Sequence, residues 1–148
     1  MRRLFIMRKD LHMSTGKLLA QVMHCAEAYW TSKIRKGNLY RTNDGQYMTQ
    51  MTMPVDVYID YVCGSFTKTV CEAKNKNQLL KAKAIADELG LVEDIDYGCI
   101  YDNCLTELEP EEDNGTTLTG IWFCPLDDEI AHKLSLIHIS EPTRPEPI

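Results

Sequence analysis

The sequence predicts an α/β fold, a three-layer sandwich whose four-stranded mixed sheet carries helices on both faces. Three observations predict it. Short apolar runs of strand length alternate with stretches of helical period in the order β-α-α-β-α-β-β-α. The 148 residues suit a single domain, whose one core would bury roughly 70% of the unfolded surface. With 44% apolar and 26% charged residues, the composition is that of an ordinary globular chain needing no disulfide or metal staple.

Each element has its own signal. Leu4-Phe5-Ile6-Met7, bounded by Arg3 and Arg8, is an apolar run with the length of a buried strand. Ser14 or Thr15 offers an N-cap, and helical period follows from Lys17 to about Trp30. Residues 31–53 are polar and aperiodic around the turn signal Asn43-Asp44-Gly45, and read as a long loop or insertion. Pro54 opens a second helix, with Val55, Tyr58, Ile59 and Val62 at helical spacing and Gly64 as its stop. Residues 66–73 are a strand. Asn75 or Asn77 caps a third helix through Leu79, Leu80, Ile85 and Leu89, stopped by Gly90. Two more strands, 97–101 and 117–123, flank an acidic loop holding Glu107, Glu109, Glu111, Glu112 and Asp113. Asp127 or Asp128 opens a last short helix to about Leu134.

The domain so read spans residues 1–134, and 135–148 form a tail outside it. Leu134-Ser135-Leu136-Ile137-His138-Ile139-Ser140-Glu141-Pro142-Thr143-Arg144 resembles the translation of a transposase-type sequencing-library adaptor. On that reading the tail has no structural role, His138 has no function, and the gene came from assembled environmental or viral sequence.

Composition narrows the function classes. No apolar run approaches the ~18–20 residues of a membrane span, and Leu4–Met7 is too short for a signal-peptide core. The expectation is a cytoplasmic protein without membrane partners. Cys25, Cys63, Cys71, Cys99, Cys104 and Cys124 are scattered with no C-x-x-C pair, so they read as reduced thiols and no metal site is expected. The net charge of −6 disfavours broad nucleic-acid binding. Residues 1–45, however, carry nine Lys/Arg against three acids, which permits a local phosphate-binding face.

Two constellations can carry chemistry. On the first helix, Lys17, Gln21, His24 and Ala28 share about 60° of arc, which sets a cation, an amide and an imidazole side by side. The backbone N–H groups of the first turn add partial positive charge, suiting an anionic ligand or a developing oxyanion. Past the third strand, which ends at Tyr101, Asp102 and Thr106 can orient a water at a strand's C-terminal end. Each has an ordinary structural use as well: a solvated helix face for the first, a turn aspartate bonding its own backbone for the second. Glu107 and Glu109 read as ordinary acidic loop residues.

Arg8-Lys9-Asp10-Leu11-His12-Met13-Ser14-Thr15-Gly16-Lys17-Leu18-Leu19-Ala20-Gln21-Val22-Met23-His24-Cys25-Ala26 closely resembles the opening signature of the archaeal-and-eukaryotic class (class II) of peptidyl-tRNA hydrolases. Ile100-Tyr101-Asp102-Asn103-Cys104-Leu105-Thr106-Glu107-Leu108-Glu109-Pro110 is similar to a second block of that family. Asn103-Cys104-Leu105 departs from it, standing where the family has Ala, Gly and a basic residue or His. Residues 31–53 look longer than the family's connection.

The resemblance implies hydrolysis of the ester joining a peptide or N-blocked aminoacyl group to the tRNA 3′-terminal ribose. It implies Lys17, Asp102 and Thr106 as catalytic residues and Gln21, His24, Arg8 and Gly16 as substrate-binding. It also implies tRNA as partner, no cofactor, and a homodimer. In the expected mechanism Lys17 stabilises the oxyanion. Asp102, its pKa raised from ~3.9 by burial, accepts the water's proton, and His24, with a reference pKa of ~6.5, is the rival base. The alternative reading is a binding protein that sequesters an anionic nucleotide on the same cationic helix start.

Overall fold

The computed structural model describes residues 1–136; the residues 137–148 of the tail lie outside them. Strand β1 (Arg2–Arg8) leads into helix α1 (Thr15–Lys36), and a hairpin follows as β2 (Asn38–Arg41) and β3 (Tyr47–Gln50). A π-helical segment, Val57–Ser65, precedes β4 (Thr67–Ala73), α2 (Lys76–Glu88), β5 (Tyr97–Asp102), β6 (Thr117–Phe123) and α3 (Asp128–Ser135).

The main sheet runs β4-β1-β6-β5, with β1 parallel to β4 and the other two pairs antiparallel. The mixed four-stranded sheet is as the sequence predicts. Alternation along β1 builds a core on each side of it. Leu4 and Ile6 pack with Leu79, Ala82 and Ala86 of α2 and Ala131 and Leu134 of α3. Phe5 and Met7 face the other way, against Cys25 and Tyr29 of α1 and Trp122 of β6. A strand buried on both faces reads as a continuous apolar run, which is why Leu4–Met7 shows no polar interruption.

Trp122 can lie flat across β5 because its neighbour there is Gly98. A Cβ on Gly98 would come within 2.5 Å of the indole nitrogen.

Caps fall where the residue types place them. Ser14 Oγ accepts from Lys17 N at 3.3 Å, Asn75 Oδ1 accepts from Gln78 N at 2.9 Å, and Gly90 at φ 83° follows α2.

Two expectations change. Residues 31–53 are not an unstructured loop. α1 continues to Lys36, and Asn43-Asp44-Gly45, with Gly45 at φ 83°, turns a two-stranded hairpin. The second helix is also other than expected. Val55, Tyr58, Ile59 and Val62, whose spacing marks it, face solvent, while Val57 and Tyr61 point inward. Its β-branched and aromatic residues lose side-chain freedom in a tight α-turn, and the segment widens to π geometry before Phe66 ends it at φ 52°.

Candidate active site

Lys17 sits in the first turn of α1, and Asp102 ends β5. Lys17 Nζ donates to Asp102 Oδ1 at 2.8 Å and lies 3.3 Å from Thr106 Oγ1. Gln21, one turn along α1, donates from Nε2 to the same Asp102 oxygen at 3.3 Å. The Lys17 and Asp102 side chains keep 15% and 12% exposure, enough for a small ligand to reach them. The fold therefore joins residues 81 to 89 positions apart in sequence.

A register shift in the sheet locks this group. Ile100 pairs with Gly120 and Tyr101 with Leu118, so Thr119 is the extra residue of a β-bulge. Its hydroxyl donates to Gln21 Oε1 at 2.7 Å. That contact orients the Gln21 amide so its NH₂ faces Asp102. On the other side, the Cys104 backbone N–H donates to Asp102 Oδ2 at 2.9 Å. Cys104 reaches that position at φ 58°, in the left-handed region that a glycine enters without strain.

These donors set the carboxyl's ionisation. Burial works against its charge, but hydrogen bonds from Lys17, the Cys104 N–H and Gln21 outweigh it and hold Asp102 below the usual carboxylate range. The raised pKa expected of a general base is not what this environment produces. Asp102 is a persistent anion.

The start of α1 holds a second surprise. Glu107 accepts from Ser14 N at 3.1 Å and from the Ser14 hydroxyl, and these bonds lower its pKa. The helix N-terminus expected to receive an anionic ligand already has a carboxylate on it. Glu107 is thus a structural clamp joining the 103–110 loop to α1.

The remaining expected residues scatter around this group. His24 is exposed and lines an adjacent groove of about 320 Å³ with Glu27, Ala28, Thr31, Ile100 and Tyr101. Gly16 is exposed, and a Cβ there would meet nothing within 4 Å. Arg8 is 4% exposed and bonds Asp10, Glu111 and the Leu118 carbonyl. Its guanidinium donors are all used within the protein. Among the described residues no group of three His, Cys, Asp or Glu side chains is placed to hold a metal ion.

The model of the family described as peptidyl-tRNA hydrolase PTH2 matches residues 1–136. The chain belongs to the peptidyl-tRNA hydrolase PTH2 family. Family membership makes it a hydrolase of peptidyl-tRNA, with tRNA in its substrate. A peptidyl-tRNA hydrolase of Thermoplasma acidophilum is 28% identical over 128 residues, covering 86% of this chain and 87% of that protein. A solved protein of unknown function from Agrobacterium tumefaciens strain C58 covers 90% of this PTH2 chain and 92% of its own, at 15% identity and a TM-score of 0.45. No described helix of the chain is long and apolar enough to cross a membrane.

Proposed function

We propose that the Lys17–Asp102–Thr106 group is the catalytic centre for hydrolysing the peptidyl-tRNA ester. The observation that carries this is the count of unused hydrogen-bonding positions. An ammonium has three donors and a carboxylate about four acceptor positions. Lys17 directs two N–H bonds at Asp102 and Thr106, leaving one. Asp102 Oδ1 is filled by Lys17 and Gln21, while among the described residues Oδ2 accepts only from Cys104, which leaves it one lone pair.

The free N–H and the free lone pair belong to adjacent groups. The lone pair orients a water against the ester carbonyl carbon, and the N–H meets the oxygen that gains charge. The water's oxygen bonds to that carbon, the bond to the terminal ribose oxygen breaks, and a water proton ends on the ribose. Asp102 acts here as a fixed acceptor that aligns the water, because a carboxyl held this low is a weak proton store at neutral pH. Asp102→Asn puts a donor where the water must donate. Single-turnover hydrolysis of N-acetyl-aminoacyl-tRNA should fall by roughly 10²-fold or more; an unchanged rate would move the centre elsewhere.

Arg8 and Gly16 are not assigned substrate contacts in this reading, and His24 borders the substrate through its groove. We place the protein in the cytoplasm, where its substrate is made, and read it as a homodimer. Support for the dimer comes from the outward Val55, Tyr58, Ile59 and Phe66, a patch of the kind that marks an association surface. Sedimentation of an Ile59→Lys variant tests it.

A further inference from the structure

All eight residues of the β2–β3 hairpin are exposed, Leu39, Tyr40, Tyr47 and Met48 at 53–67%. An isolated two-stranded hairpin is marginal in water, so one that packs so little against its own chain calls for an outside occupant. The charges around it indicate which. Lys33, Arg35 and Lys36 fill the last turn of α1, and Arg41 ends β2, in a chain of net charge −6. Lys33 and Lys36 bond the carbonyls of Thr52 and Asp94 and form no ion pair among the described residues. Arg35 and Arg41 have no hydrogen-bond or ion-pair partner among the described residues. Asp56 and Asp96 share a cavity with Lys33, and Lys36 contacts Asp94, so the unpartnered charges of this region are those of Arg35 and Arg41.

The hairpin register adds an aromatic surface. Arg41 lies directly opposite Tyr47, and Leu39 opposite Thr49, so these four share one face. A guanidinium beside an exposed phenol ring suits a phosphate and a base. The helix supplies the alignment. Arg35 stands eighteen residues after Lys17, which at 3.6 residues per turn is five turns, on the same face and about 27 Å away. His24, Ala28 and Thr31 line the groove between them.

We propose that the hairpin and the last turn of α1 form a second RNA-binding surface, gripping the tRNA backbone about 27 Å from the ester. This rests on the hydrolase reading and deepens it. Such a distant grip strengthens binding of whole tRNA without touching the reaction.

The test compares N-acetyl-aminoacyl-tRNA with the same ester on its 3′-terminal trinucleotide, using an Arg35→Ala/Arg41→Ala double variant and Tyr47→Ala. All three positions are exposed, and circular dichroism checks that the variants fold. For the double variant, KM on whole tRNA should rise about tenfold with kcat unchanged, and the slope of log KM against log salt should drop by about 1.5. Kinetics on the trinucleotide should not move. Tyr47→Ala should raise KM on tRNA roughly fivefold, and Arg35→Lys/Arg41→Lys should restore most of the loss. Equal effects on both substrates, no effect on either, or a change from dimer to monomer would overturn the proposal. Anisotropy of labelled, uncharged tRNA reads the surface without turnover. Binding lost in the double variant supports the grip even if the hydrolase reading fails, and unchanged binding refutes it.

Discussion

Arg8 and Lys17 are both cations held by oxygen acceptors from distant segments, and they differ in how many of their donors those acceptors use. Arg8 uses all five of its N–H donors: Nε and one terminal nitrogen on Asp10, both terminal nitrogens on Glu111, and a last bond to the Leu118 carbonyl. Lys17 keeps a donor, and its partner Asp102 keeps a lone pair. Both cations come from the same sequence motif, yet one is saturated and the other is not, and the proposed catalytic role of Lys17 rests on that difference. The difference lies in the count of satisfied bonds more than in the charge.

Breaking each pair should therefore give opposite signatures. Lys17→Ala should cut turnover by roughly 10²–10³-fold, while costing about 1 kcal/mol of stability, because Gln21 and Cys104 still hold Asp102. Arg8→Met should do the reverse. It strips a 2%-exposed guanidinium from two carboxylates. Those carboxylates are about a third exposed and can rehydrate, so the loss should be about 2–3 kcal/mol, below the usual cost of breaking a fully buried pair. Activity per folded molecule should stay within twofold. Urea titrations and initial rates on both variants check this; equal damage to rate and stability in both would dissolve the distinction.

Acid sharpens the comparison. Asp102, Asp10 and Glu111 all have folded pKa values below their ordinary ones. Each adds stability present above its unfolded pKa of ~4 and lost as pH falls through its folded value. Melting temperature should hold from pH 8 to about 5 and fall below ~4. The rate should show no carboxylate step between pH 5 and 8. A rate lost in His24→Gln but kept in Asp102→Asn would make His24 the base and displace Asp102.

The smallest effect concerns the loop between the two centres. Cys104→Gly keeps the N–H that holds Asp102 and removes a side chain from φ 58°. It should raise stability by about 0.5 kcal/mol, the left-handed strain exceeding glycine's entropy cost. Turnover should stay within twofold. A stability loss would mean that the Cys104 sulfur, 3.4 Å from Thr117 Oγ1, matters more than the strain.

How much of this was legible follows from what kind of pattern each residue belongs to. Strands β1 and β6 and the caps at Ser14 and Asn75 are local, and their signals are local too. The grouping of Lys17, Gln21, Asp102 and Thr106 was readable through two motif blocks, because the family resemblance carries long-range information that periodicity lacks. Thr119 was not readable, since its role depends on a register slip that leaves no mark in its neighbours. Glu107 looked like any loop acid; its bonds to Ser14 exist only after the chain folds back. The second helix misled because an apolar stripe has the same period whether it faces the core or solvent. The hairpin was hidden because its short strands, Asn38–Arg41 and Tyr47–Gln50, show no alternation, although Asp44-Gly45 marked its turn.

Gly98 leaves one more consequence. Both tryptophans of the chain, Trp30 and Trp122, stand at the seam between α1 and the sheet, and Trp122 occupies a dry slot over Gly98 at 4% exposure. The protein therefore carries its own optical gauge. Trp122 should emit as an indole shielded from water, and it belongs to the same helix–strand seam that holds Lys17 and Asp102. A substrate that levers α1 away from β5 would redden that emission, whereas one that merely fills the space above Asp102 would leave its colour untouched.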